Sequence, residues 1–199
     1  TIGSGGTASV RKIHFKSRSQ ASLALKETFT LKKKEVVSDL IREFYIMSVL
    51  RHAHVVYSYC MLLNSHHFGL LMPLADSDLN FALNSSWIGD AAAFPFVVTD
   101  FGCLISATAH LHETGVIHGD IKPSNILGFK NGDGAHLWKI ADFGISKIER
   151  HKHETVSFSS STVPLFTPKY AAPEVVQCPI VREYSSDIFS LGCVLAEVL

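Results

Sequence analysis

The sequence predicts an α+β protein of two lobes, sheet-rich over about the first 75 residues and helix-rich after that, with a cleft near residue 75. Three observations predict this. Short apolar runs with glycine-rich punctuation surround a single amphipathic helical pattern in the first part. Beyond Asp76 the apolar residues take up helical periodicity. No repeat or low-complexity tract divides the chain.

Taken in order, Ile2 to Val10 is rich in glycine and ends on a β-branched residue, which reads as strand, turn, strand. Ser22 to Lys26 reads as a short strand. Val36, Val37, Leu40, Ile41, Phe44, Met47 and Leu50 recur at offsets of three and four, the mark of an amphipathic helix over 36–50. The apolar stretches 54–63 and 68–74 read as strands. A long helical pattern follows over 94–113, through Phe94, Val97, Val98, Phe101, Leu104, Ile105, Thr108 and Leu111, and stops before Gly115. Strand-like pieces at 126–129 and 137–141 are joined by Asn131-Gly132-Asp133-Gly134, a hairpin signal. Residues 145–169 are polar, and 187–199 read as a helix.

Composition narrows the function. Acidic and basic residues balance at 18 each in 199, so no electrostatic footprint for nucleic acid or an anionic membrane is expected. No apolar run approaches the ~18 residues of a membrane span; no secretory signal is visible, but the first residues already belong to a motif, so the natural N-terminus is expected to lie further upstream. Cys60, Cys103, Cys178 and Cys193 lack metal or redox spacing, which predicts buried reduced thiols in a cytoplasmic protein, the nucleus remaining open. His110 and His112 are two apart and face different sides of a helix, and His66-His67 and His151/His153 sit in polar stretches; no structural metal site is expected from them.

The chemistry concentrates at His118-Gly119-Asp120-Ile121-Lys122-Pro123-Ser124-Asn125, with Asp142-Phe143-Gly144 further along the chain. Asp120 is suited to accept a proton from an attacking hydroxyl, and Lys122 to neutralise a transferring phosphoryl group. Asn125 and Asp142 offer hard oxygen ligands of the kind Mg²⁺ takes. Such a set matches phosphoryl transfer, in which positioning and charge neutralisation supply most of the catalysis. His118 reads as a packed loop histidine supporting Asp120.

These motifs resemble those of the eukaryotic protein kinases, and the resemblance runs over nearly the whole chain. It implies a two-lobed kinase fold using ATP and Mg²⁺ on protein substrates. Gly3-Ser4-Gly5-Gly6 would cover the phosphates, although alone it reads equally as a flexible turn, and Ala8 stands where the family pattern has a third glycine. Ile2, Val10, Ala24 and Leu127 would border the adenine. Lys26 would pair the α/β-phosphates and a helix glutamate. Glu43 fits the family spacing ahead of His52, with Glu35 as the competing partner. Met72, Pro73 and Ala75 would form the hinge. Asp78 would reach a ribose hydroxyl or cap the following helix. Lys122 with Pro123-Ser124, and Thr167 ahead of Pro168-Lys169-Tyr170-Ala171-Ala172-Pro173-Glu174, resemble the serine/threonine type, in which such a threonine bonds the base and the lysine. Asp187 resembles the buried aspartate that anchors the catalytic loop through backbone amides.

The chain also departs from the family pattern. Gly119 stands where most of the family has arginine, which holds a phosphorylated activation segment. Activity is therefore expected to depend little on phosphorylation of Thr155, Ser157, Ser159, Ser160, Ser161 or Thr162. Phe189 replaces a common tryptophan. The family fold continues with further helices, so the chain as given is expected to be an incomplete catalytic domain, inactive alone. An active serine/threonine kinase is the expected parent. A nucleotide-binding scaffold without turnover is the rival, and loss of Lys26, Asp120, Asn125 or Asp142 would have favoured it. A small-molecule or lipid kinase is disfavoured by the peptide-platform character of Thr167 to Glu174.

Overall fold

The computed structural model describes residues 3–4, 8–15, 18–28, 34–63, 68–85, 99–132, 136–148, 166–177 and 181–199. Two compact units result: Thr1–Arg51 with Val56–Ala75, and His52–Val55 with Asp76–Leu199.

The first unit is an antiparallel sheet of β1 (Gly3–Ser4), β2 (Ser9–Phe15), β3 (Arg18–Thr28), β4 (Cys60–Leu63) and β5 (Phe68–Pro73), in the order β1-β2-β3-β5-β4, with helix α1 (Lys34–Val49). Strand β3 is longer than the predicted 22–26 because pairing extends past both ends, Arg18 with Phe15 of β2 and Glu27 and Thr28 with Gly69 and Phe68 of β5. Register sets the face that matters. Val10 opposes Lys26, Ala24 opposes Met72 and Lys26 opposes Leu70. Since directly paired residues and residues two apart share a side, Val10, Ala24, Lys26, Leu70 and Met72 share one face.

Helix α1 packs against β5 and buries Leu40, Glu43, Ile46 and Met47, with Leu50 buried just past its end. Ile41 was expected on the apolar face. Instead it is 48% exposed, on the opposite side of the helix with Tyr45 and Val49, four residues apart in each step.

The predicted strand over 54–63 divides. Only Cys60–Leu63 joins the sheet, whereas His52–Val55 belongs to the second unit. There the Ile140 amide donates to the His54 carbonyl at 2.9 Å, His54 Nδ1 lies 2.7 Å from the Trp138 carbonyl, and Val55 forms an isolated bridge with Ile140. The backbone groups of this segment are thus satisfied away from the first sheet, and the predicted boundary at residue 75 has this exception.

In the second unit β6 (Ser77–Asp78), β8 (Ile126–Lys130) and β9 (His136–Ile140) form one sheet, and β7 (Val116–Ile117) pairs with β10 (Lys147–Ile148). The helices are α2 (Leu79–Asn84), α3 (Phe101–Glu113), the single turn α4 (Pro173–Val176) and α5 (Tyr184–Val198). The part of the predicted 94–113 helix before residue 99 lies outside the described residues. Helices α3 and α5 pack together, and Leu104, Ala107 and Leu111 of the one and Leu191, Val194 and Val198 of the other are buried. Glu183 and Ser186 close a reciprocal capping box that starts α5. No helix among the described residues is long and apolar enough to cross a membrane.

Candidate active site

In the first unit Lys26 and Glu43 form a tight ion pair, with Lys26 Nζ 2.6 and 2.8 Å from the two Glu43 oxygens. Glu43 is almost wholly buried, with 3% of its side chain exposed against 15% for Lys26. A carboxylate so enclosed requires a cation or several donors. Of the two glutamates the sequence offered, Glu43 holds the lysine.

The loop between β7 and β8 is built from the second unit's own parts. Asp187, fully buried at the start of α5, accepts the His118 amide on Oδ2 and the Gly119 amide on Oδ1, each at 2.8 Å. His112 Nε2 also lies 3.0 Å from Asp187 Oδ2, a third contact that sequence reasoning did not anticipate. Gly119 takes φ of +80°, a region glycine enters without steric cost. The chain then turns so that the Asp120 amide donates to His118 Nδ1 at 3.2 Å. His118 Nε2 lies 3.0 Å from the Ala141 carbonyl, so one proton on Nε2 satisfies both contacts. Ser146 Oγ, also unanticipated, donates to the His118 carbonyl at 3.0 Å. The buried Phe143 ring stands 5.0 Å from the imidazole.

Around Asp120 the side chains converge. Lys122 Nζ lies 2.6 Å from Asp120 Oδ2 and donates to Thr167 Oγ1 at 2.7 Å. Thr167 in turn donates to Asp120 Oδ1 at 2.8 Å. Asn125 Nδ2 donates to the Asp120 carbonyl at 2.9 Å and to Oδ2 at 3.1 Å. Thr167 is brought in by a turn of 3₁₀ helix, Pro168–Tyr170, and Tyr170 is tied to α5 because Ser190 Oγ donates to its carbonyl at 2.8 Å.

The β8–β9 hairpin delivers Asp142. Ile126 pairs with Ile140, and the Ala141 amide donates to the Asn125 carbonyl at 2.9 Å, so Asn125 and Asp142 emerge at the same end of the hairpin. Asp142 is exposed and has φ of +67°, unusual for a residue with a Cβ. Such a conformation costs about 1–2 kcal/mol and tends to be retained where function needs it.

A divalent cation would find oxygen donors here. Both Asn125 Nδ2 contacts go to Asp120, which leaves the Asn125 amide oxygen as an acceptor, and Asp142 presents a carboxylate. Among the described residues no group of three or more His, Cys, Asp or Glu gathers to enclose a metal by itself. Oxygen donors of this kind, one carboxylate and one amide oxygen, are those Mg²⁺ takes beside waters and substrate phosphates.

The other residues expected at the site are dispersed over both units. Val10, Ala24 and Met72 share the sheet face of Lys26, and Pro73 ends β5 opposite Leu23. Ala75 and Leu127 are half-buried, with Leu127 paired to Asp78. Asp78 caps α2, accepting the Phe81 amide on Oδ1 at 2.8 Å, so its capping role is the one observed. Gly3 and Ser4 form β1; Ile2, Gly5 and Gly6 lie outside the described residues, as do the six hydroxyl residues from Thr155 to Thr162.

A lysine of a five-stranded sheet paired with a glutamate of the helix packed on it, and a helix-rich unit carrying the Asp120 loop, are the features of a protein kinase domain. The chain belongs to the protein kinase domain family, which it matches over residues 1–199. It is 33% identical over 159 residues to the Arabidopsis thaliana "Serine/threonine-protein kinase RUNKEL", covering 79% of this chain and 11% of that protein. It is 31% identical to the Dictyostelium discoideum "Probable serine/threonine-protein kinase nek3", across 100% of this chain and 17% of the relative. It is 27% identical to the Arabidopsis thaliana "CBL-interacting serine/threonine-protein kinase 24", across 100% of this chain and 42% of that protein. The chain therefore spans less than half the length of these relatives.

Proposed function

We propose that this chain is the catalytic part of an active serine/threonine protein kinase that transfers the γ-phosphoryl group of ATP to Ser or Thr hydroxyls of protein substrates. The observation that carries the proposal is the closed triangle of Asp120, Lys122 and Thr167, joined by contacts of 2.6, 2.7 and 2.8 Å. Asp120 orients the substrate hydroxyl and takes its proton. Lys122, held over Asp120 by Thr167, compensates charge on the phosphoryl group as it moves. Lys26, fixed by Glu43, engages the α/β-phosphates. Val10, Ala24 and Met72, on the sheet face of Lys26, would border the adenine, and the Pro73 carbonyl and Ala75 amide would bond it. The Asn125 amide oxygen and the Asp142 carboxylate would hold Mg²⁺, which when bound screens the phosphate oxygens.

The relatives' names carry the serine/threonine assignment, and the bridging Thr167 hydroxyl supports it. A cytoplasmic location goes with this reading; Cys60, Cys103 and Cys193 are free thiols, half-buried where buried ones were expected. The test is transfer of labelled γ-phosphate by the full-length protein to a peptide library with Ser, Thr or Tyr as acceptor, with and without Mg²⁺. Mg²⁺-dependent labelling of Ser and Thr peptides is expected. Nucleotide binding without labelling would establish the non-catalytic scaffold instead.

A further inference from the structure

The space beside Gly119 is occupied. A Cβ built on it would lie 3.1 Å from Arg182 Cδ and 3.3 Å from Arg182 Nε, with the Ile145 carbonyl oxygen 3.7 Å away. The stem of Arg182 therefore lies across a loop residue that takes a left-handed backbone, and its Nε is buried. Arg182 is itself held on both sides. The Val181 amide donates to the Glu174 carbonyl at 3.3 Å, and the Glu183 amide donates to Ser186 Oγ at 3.2 Å within the box that opens α5. The same helix carries Asp187, whose carboxylate takes the His118 and Gly119 amides. The loop is thus gripped twice, by hydrogen bonds from its peptide groups to Asp187 in the first turn of α5 and by Arg182, just ahead of that helix, packing beside Gly119.

We propose that Arg182 is a positioning residue for Asp120: its side chain fills the space left open at Gly119 and stabilises the turn that sets the catalytic aspartate. Gly119 and Arg182 then act as one unit. The stem of an arginine at 119 would press on Arg182 Cδ and Nε, so Gly119→Arg alone is not a simple return to the commoner pattern. Packing by the stem is the operative feature, because Cδ and Nε make the close approach.

The effect on turnover rests on the kinase reading; the effect on the loop does not. The experiment uses the full-length protein as parent, Arg182→Ala, Arg182→Met, Gly119→Ala and the Gly119→Ala/Arg182→Ala double variant. Two quantities are read: kcat and KM for ATP with a peptide acceptor, and amide hydrogen exchange across residues 117–122. Arg182→Ala is expected to lower kcat about tenfold, leave KM for ATP within about twofold, and speed exchange at His118 to Asp120. Arg182→Met, which conserves the stem, should keep kcat within about threefold.

The left-handed strain of alanine at 119 is the same in both backgrounds and cancels in the cycle. Gly119→Ala should therefore cost about tenfold less with Arg182 absent, a coupling of ~1.4 kcal/mol. Additive effects in both readouts would overturn the proposal. So would unchanged exchange and kcat in Arg182→Ala, or a KM for ATP that rises as far as kcat falls. If the parent shows no turnover the kinase reading fails, and the exchange cycle alone still decides whether Gly119 and Arg182 are coupled.

Discussion

Replacing Thr167 by valine keeps volume and β-branching and removes one hydroxyl. That hydroxyl accepts from Lys122 Nζ at 2.7 Å and donates to Asp120 Oδ1 at 2.8 Å. Both bonds involve an ionised partner, and such bonds contribute about 1.5–3 kcal/mol each. The direct Lys122–Asp120 contact at 2.6 Å survives, and the lysine retains 23% side-chain exposure, so water recovers part of the loss. A net cost of about 1.5–3 kcal/mol to the transition state remains, which is roughly 10–150-fold in kcat. KM for ATP should stay within about twofold, because Thr167 supports the acceptor-side aspartate. Thr167→Ser retains the hydroxyl and should lose less than about fivefold. Steady-state peptide phosphorylation by the full-length protein reads all three. A valine variant with parental kcat, or a serine variant as slow as the valine one, would show that the bridge does not set Asp120 and Lys122.

The ion pairs and the polar segment carry further expectations. Lys26→Met leaves Glu43 buried beside no cation from that position and should destabilise the domain by about 3 kcal/mol, at the lower end for broken buried pairs because Lys26 keeps 15% exposure. Adding Glu43→Leu should restore most of that in a calorimetric scan, and no recovery would contradict a compensating pair. Glu197 has its pKa lowered chiefly by the Lys169 ammonium, which donates to it at 2.6 Å. A carboxyl depressed by folding stabilises fully above its unfolded value, about 4.3, and loses that contribution as pH falls through the folded value. Urea midpoints of the parent should therefore drop more steeply below about pH 4.3 than those of Glu197→Gln; parallel acid limbs would argue against it. Finally, alanine at Thr155, Ser157, Ser159, Ser160, Ser161 and Thr162 together should cost less than about tenfold in kcat. A larger loss in peptide phosphorylation would show that a cation, with Arg182 foremost, reads a phosphate despite Gly119.

Much of the site was legible because its residues are few, polar and fixed in spacing. Glu43 was separable from Glu35 by its distance to His52, and Asp187 by its Ser186-Asp187-Ile188-Phe189-Ser190-Leu191-Gly192 setting, which resembles the family's. The hairpin carrying Asp142 announced itself through Asn131-Gly132. The crossing segment at His52–Val55 was not legible, because an apolar run looks the same whether its backbone pairs within a sheet or with a distant strand such as β9. Ile41 illustrates the same limit. Helical periodicity marks a broad stripe, and the packing around Glu43 chose its centre. Arg182 carried no motif at all. Its role depends on the absence of a side chain at 119 and on a long-range approach that no local pattern encodes.

The most direct test of the account is γ-phosphate transfer by the full-length protein with Asp120→Asn. Asparagine keeps the shape of the side chain but cannot take the proton, and general-base and positioning effects together are commonly worth ~10²–10⁴ in rate. Transfer to Ser and Thr peptides should fall by at least about 100-fold, within that range, while nucleotide affinity, measured by calorimetric titration, stays near the parental value. Parental turnover in this variant would remove Asp120 from the centre of the mechanism.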